Sequence, residues 1–273
     1  MIQSAVTISL VPESRGGPFV FGANLKHGCA RAAALGFDAV EIFPLSASEL
    51  DAGELRALLK LHRLKLAAIG SGGGWLKNRW TLTNPDPVVR AHALKFIGAI
   101  IDLAAGFGAP AIIGSMQGRV EVGVTRRQAE QWLAESLKTL GQRAMKRGTF
   151  LLYEPLNRYE TNLFNRAGDA VAFLQRRRIK GVKLLCDLFH MNIEETSIPT
   201  TLRAVAPHVG HIHFADSNRH AIGLGHLDVK PIVEVLRKIG YQGFLSGEVL
   251  PLPNPAAAAR QTIGAFRKFV TND

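Results

Sequence analysis

The chain has 273 residues, 47% hydrophobic and 20% charged, which supports a sizeable core and argues against disorder. Its net charge of +11 raises the question of nucleic-acid binding, but the positives are scattered along the chain, with short clusters such as Arg126-Arg127, Arg143 to Arg147 and Arg176 to Arg178 in or at the ends of predicted helices. Cations suit helix C-termini, so no nucleic-acid partner is expected. No apolar run reaches the roughly 20 residues of a membrane helix, Met1 to Leu10 lacks the pattern of a signal peptide, and the cysteines Cys29 and Cys186 share no spacing motif. A cytoplasmic protein without disulfides and without a membrane partner is expected.

Short apolar runs alternate with longer amphipathic segments from end to end. Strands are predicted over 6–11, 39–43, 65–70, 111–114, 150–154, 182–187, 209–214 and 243–249. Helices are predicted over 25–35, 48–62, 86–105, 125–146, 167–178, 197–205, 227–239 and 255–269. Gly36 is a C-cap signal, and Pro85 and Pro87 mark the start of the third helix. The glycine-rich stretch Ser71 to Trp75 lacks the Lys and Ser/Thr of a phosphate loop. It reads as a lid, with Trp75 free to stack on a sugar, whereas Trp80 and Trp132 read as packing residues and His27, His62, His92 and His220 as surface residues.

Strands this continuously apolar are buried on both faces. Eight βα units filling residues 1–273 imply one closed (β/α)8 TIM barrel as a single domain, with a doubly wound open sheet as the runner-up. In such barrels the site lies at the C-terminal ends of the strands. The last four predicted strands end in or near Glu154, Asp187, His213 and Glu248, and Glu41 is a weaker rim candidate near the end of the second. Three carboxylates clustered without a cation would repel one another, and a divalent ion removes the conflict. Three oxygen donors and one imidazole suit Mn²⁺, Mg²⁺ or Co²⁺, with Zn²⁺ also able to take the set. Glu160, His190 and Arg219 stand in the loops above, among polar neighbours including Asn157, Arg158, Asn162, Asp216, Ser217 and Asn218, a concentration that suggests a hydrophilic small substrate. A lone strand-end Asp is more often a helix cap, so the ligand reading rests on four such residues in register.

The segments Glu154 to Asn162, Asp187 to Asn192, His213 to Arg219 and Gly225 to Asp228 resemble the motifs of ketose 3-epimerases, the D-tagatose and D-psicose 3-epimerase group of the xylose-isomerase-like barrels. The resemblance implies a small-molecule sugar substrate and one bound Mn²⁺ or Co²⁺ held by Glu154, Asp187, His213 and Glu248. It implies Glu154 and Glu248 as the acid/base pair, and Glu160, His190 and Arg219 as contacts to the O1–O3 end of the sugar. It also suggests, by analogy alone, a homodimer or homotetramer. The chemistry is coherent: the C3 proton of a ketose is α to the C2 carbonyl, a metal polarises that carbonyl and stabilises a cis-enediolate, and two opposed glutamates remove and return the proton on opposite faces. The loops at 12–24 and 71–84 match no expected substrate loop, which leaves the distal end of the sugar open. Competing readings are another sugar isomerase, a keto-inositol dehydratase, a non-catalytic sugar- or metal-binding barrel, and an abasic-site endonuclease. The last needs extra zinc ligands, yet the third and fourth strands end Ala68-Ile69-Gly70 and Gly114-Ser115.

Overall fold

The structure, a computed structural model, describes residues 1–271, so the last two residues of the expected barrel span lie outside it. Eight parallel strands close on themselves: β1 (Gln3–Ser9), β3 (Ala39–Phe43), β4 (Lys65–Gly70), β5 (Ala111–Ile113), β6 (Leu151–Tyr153), β7 (Val182–Asp187), β8 (Val209–His213) and β9 (Phe244–Gly247). The β1–β9 pairing completes the circle, and a two-residue strand, β2 (Phe21–Gly22), adds to the outer edge of β1 beside Ile8 and Ser9. The closed barrel is the expected architecture, and the open sheet is excluded by the β1–β9 pair.

Alternation along each strand sorts the side chains. Ile8, Ile42, Ile69, Ile113, Tyr153, Leu184, Ile212 and Leu245 belong to the large core shared with the helices. Their alternates Phe43, Ala68, Ile112, Leu152 and Leu185 make a separate apolar cluster inside the barrel. On the strands that close the circle, the interior positions are polar: Thr7, Glu41, His211, His213 and Ser246, all buried.

The helices are α1 (Leu25–Leu35), α2 (Ala52–His62), α3 (Gly72–Asn78), α4 (Pro87–Ala105), α5 (Arg126–Lys146), α6 (Ala167–Arg176), α7 (Leu188–Glu194), α8 (Ile198–Ala204), α9 (Lys230–Lys238) and α10 (Pro255–Phe266). Asn24, Asp51, Asp86, Thr125, Ser197 and Asn254 cap six of them with side-chain oxygens, each such cap contributing about 1 kcal/mol. The Asp51 cap starts α2 four residues later than the sequence suggests. Gly36 ends α1 at φ 83°, as its C-cap signal predicts.

Two helices were not foreseen. The glycine-rich stretch expected to be a lid loop is the short helix α3. Gly73 allows it, because a Cβ there would meet the backbone oxygens of Pro44 and Leu45 at 2.7 and 2.6 Å, so the segment lies tight against the loop after β3. The other is α7, which begins directly after Asp187. No helix among the described residues is long and apolar enough to cross a membrane.

Candidate metal and acid/base site

Strand register assembles the site. Asp187, the last residue of β7, pairs with His213, the last of β8, and His213 pairs with Ser246 on β9. Glu154 follows β6 by one residue, its N–H still bonded to the Ile113 carbonyl at 3.0 Å, and Glu248 follows β9 by one. The four candidate ligands therefore converge: one donor atom from each lies within 4.8 Å of the others. His213 Nδ1 is 3.6 Å from Glu154 Oε1, 3.7 Å from Asp187 Oδ2 and 3.5 Å from Glu248 Oε2. Donors on a coordination shell of radius about 2.1 Å stand about 3–3.5 Å apart, so the set needs little adjustment to hold a small divalent cation.

Glu154 Oε1, Asp187 Oδ2 and His213 Nδ1 are all buried without a hydrogen-bond partner. An unmade hydrogen bond on a buried polar atom costs about 1–3 kcal/mol, more for a charged group, and three such atoms aimed at one point fit a cation that satisfies them together. Asp187 combines both readings of a strand-end aspartate: Oδ1 caps α7 through the Phe189 N–H at 2.8 Å, and Oδ2 faces the site.

Around the donors, Gln117 Nε2 donates to the Glu154 carbonyl at 2.9 Å while its Oε1 accepts from the Tyr153 hydroxyl at 2.5 Å, which fixes the backbone carrying Glu154. Gly114, just after the neighbouring β5, leaves room for this carboxylate, since a Cβ there would meet Glu154 Oε2 at 2.7 Å and the side chain would have to shift. The structure brings the three predicted substrate contacts to the same place. The side-chain NH₂ of Asn157 lies 2.8 Å from His190 Nδ1, so Nδ1 accepts, and Nε2, left as the protonated nitrogen, stands 3.7 Å from Glu154 Oε1 and 3.6 Å from Asp187 Oδ2. Arg219 donates to Glu248 Oε2 at 2.8 Å and reaches Glu160 Oε1 at 3.5 Å, with its guanidinium over the Phe189 ring at 4.9 Å. Its backbone sits at φ 61°, a left-handed conformation that side chains rarely adopt outside constrained sites.

The two glutamates differ electrostatically. Burial pushes the Glu154 carboxyl above the ordinary glutamate range. Burial also opposes ionisation of Glu248, but His213 and Arg219 outweigh it and hold this carboxyl below that range. Asp187 is held at about 2, because His190, His213 and Arg219 overcome its burial. Titratable groups pushed apart in this way are candidates for acid and base roles.

The neighbouring loop residues behave differently from the sequence reading. Most of their polar groups stabilise the loops themselves. Asp216 accepts backbone N–H bonds from Ser217, Gly223 and Leu227, Asn162 bonds the Val120 backbone, and Arg158 pairs with Glu194. They do not speak for a hydrophilic substrate. Glu41 is also not a rim residue. It is fully buried within β3, with Oε2 2.6 Å from His211 Nε2 and Oε1 3.0 Å from His213 Nε2. His211 had no sequence signal except its two-residue offset from His213, which puts both rings on one face of β8.

Above the donors opens a cavity of about 230 Å³ whose walls include Phe19, Phe43, Trp75, Ile112 and Leu156 as well as Glu154, Glu160, Arg219 and Glu248. A second cavity of about 250 Å³ adjoins it, sharing Trp75, Ser115 and Glu160 and continuing to Thr81, Arg119 and Tyr159.

Residues 29–269 match the family model of the xylose isomerase-like TIM barrel. The chain is 30% identical over 244 residues to 3-dehydro-D-guloside 4-epimerase of Escherichia coli, covering 85% of this chain and 90% of that protein. It is 31% identical over 228 residues to D-psicose 3-epimerase of Ruminiclostridium cellulolyticum, covering 81% and 76%. Its fold superposes with a TM-score of 0.82 on D-allulose 3-epimerase from Methylomonas sp. in complex with D-allulose, at 20% identity over 98% of this chain and 97% of that one. With its barrel, its rim and these relatives, the chain belongs to the xylose isomerase-like TIM barrel family, among sugar epimerases, and is an enzyme of the isomerase class.

Proposed function

We propose that this chain is a metal-dependent sugar epimerase that moves the proton α to a ketone, interconverting ketoses at C3. The observation that carries the reading is the convergence of the buried, unpartnered Glu154 Oε1, Asp187 Oδ2 and His213 Nδ1 on one point, with Glu248 beside them. These four residues would hold one divalent ion, Mn²⁺ first by its affinity for carboxylate oxygen. When bound, the ion supplies Lewis-acid polarisation of the ketone.

The chain's own residues do the rest. Glu154 and Glu248 remove and return the proton at C3, one ionised and one protonated at any moment, with their roles exchanged in the reverse direction. Arg219, tied to Glu248 and Glu160, orients the sugar and faces the negative charge that grows on its oxygens, and His190 Nε2–H donates to the same end. The apolar side chains of Phe19, Phe43, Trp75 and Leu156 line the cavity beside these groups and would pack against the sugar.

The test is deuterium uptake. Metal-loaded protein incubated in D₂O with fructose, psicose, tagatose or sorbose should exchange at C3 and yield the C3 epimer. No uptake with any ketose removes this reading. A second reading is favoured by the 30% identity across 90% of a guloside 4-epimerase and by the continuation of the cleft past Trp75. A 3-keto-glycoside carries α protons at C2 and C4, so the same two glutamates would serve at C4, and uptake at C4 of a 3-keto-glycoside with none at C3 of free ketoses selects this reading. The reading takes the chain as one catalytic domain in a reducing cytoplasm, consistent with both cysteines being free and buried, and as a homodimer or homotetramer by analogy with relatives.

A further inference from the structure

We propose that Glu41 is a positioning residue for the metal centre: its carboxylate takes the Nε2–H of His213 and so presents the Nδ1 lone pair to the cation, while His211 holds the carboxylate in place. The inference rests on the site read above. An imidazole has two nitrogens, and only the tautomer protonated at Nε2 leaves Nδ1 free to ligate. In this chain the choice is made across the barrel. Glu41 on β3 reaches His213 on β8 with Oε1 at 3.0 Å, and its other oxygen is engaged by His211 at 2.6 Å. The two rings meet edge to face, 5.6 Å apart at 84°, so one strand delivers two donors to one carboxylate and fixes its plane.

A carboxylate with no exposure at all, inside a barrel, needs a reason. Among the described residues its carboxylate bonds these two histidines, and no lysine or arginine pairs with it. Glu41, His211 and His213 could also be read as a second cation site. The 2.6 Å separation argues against this, because two donors of a small cation stand about 3 Å or more apart, whereas a shared proton fits that spacing. Glu41 and His211 also line neither cavity of the cleft, whereas Glu154 and Glu248 of the candidate metal site line the first. Groups bonded to the outer nitrogen of a ligating histidine typically change metal affinity by about 10–100-fold.

The experiment measures Mn²⁺ affinity directly, by competition with a coloured chelator, for the wild type, Glu41→Gln and Glu41→Leu, with circular dichroism and Tm alongside. Gln keeps an acceptor for His213 in the same volume and Leu does not. The expected result is a Leu variant weakened about 10–100-fold and a Gln variant in between. Equal affinity in the wild type and the Leu variant, or equal loss in both variants, overturns the inference. If the Leu variant does not fold, the ¹⁵N spectrum of the wild-type histidines in the Zn²⁺-loaded protein decides. His213 protonated at Nε2 supports the role, and His213 protonated at Nδ1 overturns it. A wild type that binds no metal is a separate result, and it removes the site reading beneath the inference.

Discussion

The two halves of this barrel do different work. From β6 to β9 every strand ends at an inward polar donor: Glu154, Asp187, His213 and Glu248. From β1 to β5 the strands end in Ser9, Phe43, Gly70 and Ile113, and the loops and helix above them provide Phe19 and Trp75. One half concentrates charge where it is desolvated and therefore strong. The other half lines the cavity largely with apolar side chains such as Phe19, Phe43 and Trp75. The candidate donors thus stand on strand ends, while much of the apolar wall comes from the loop at Phe19 and from α3.

The sharpest way to break this contrast is within the charged half. Glu154→Gln and Glu248→Gln each keep size and remove the proton-transfer group, and each should lower C3 proton exchange about a hundred- to ten-thousand-fold. A fully active single variant would take that residue out of the pair. Gly114→Ala probes the seam between the halves. The added methyl would press on Glu154 Oε2 from 2.7 Å, and because misplacement by about 1 Å can cost about a hundredfold, kcat should fall by up to that factor with the fold intact. An unchanged kcat would show that Glu154 has room to move. In the shaping half, Trp75→Ala should raise KM about fivefold and leave kcat alone, the signature of binding felt equally in ground and transition states. A fall in kcat at saturating substrate would mean that the apolar wall takes part in the chemistry.

The same contrast explains what the sequence made legible. The strands of both halves are apolar runs closed by turn residues, so the barrel could be read throughout. The donors could be read because each interrupts an apolar run at its C-terminal end, and four such interruptions fall one βα unit apart. His211 could not, and Glu41 could be read only as a weaker rim candidate. Each looks like a stray polar residue inside a strand, and their bond joins positions 170 residues apart across the interior. The helix α3 was hidden by its glycines, which disfavour helix locally, although at Gly73 the close approach to the backbone of Pro44 and Leu45 leaves no room for a Cβ. The polar loop residues misled for a related reason. Composition does not reveal that Asp216 turns back on the backbone of its own loop and Asn162 onto the backbone of Val120, rather than outward to a ligand.

The smallest effect belongs to the outer seam between the halves, where α4 meets α5, the helix that leads into β6. Asp102 on α4 accepts hydrogen bonds from Arg143, with Nε at 3.1 Å, and from Arg147, with Nε at 3.0 Å, both on or just after α5. The Arg143 hydrogen bond, with help from Arg147 and against partial burial, holds the Asp102 carboxyl below the usual aspartate range. Both arginines are about half exposed, so solvent screens the pair and its contribution is at most about 1 kcal/mol. A carboxyl whose pKa is lower folded than unfolded stabilises the fold above its unfolded pKa, near 3.9, and that contribution disappears as pH falls through the lower folded value. Asp102→Asn should therefore lower Tm by about 2 °C at pH 7, and wild type and variant should converge as the pH falls through the lowered folded pKa of Asp102. Because the seam lies outside the barrel, kcat should not change. If it did, the two halves would be coupled through α4 and α5, and the division of labour between the charged rim and the apolar wall would extend to the helices that hold them together.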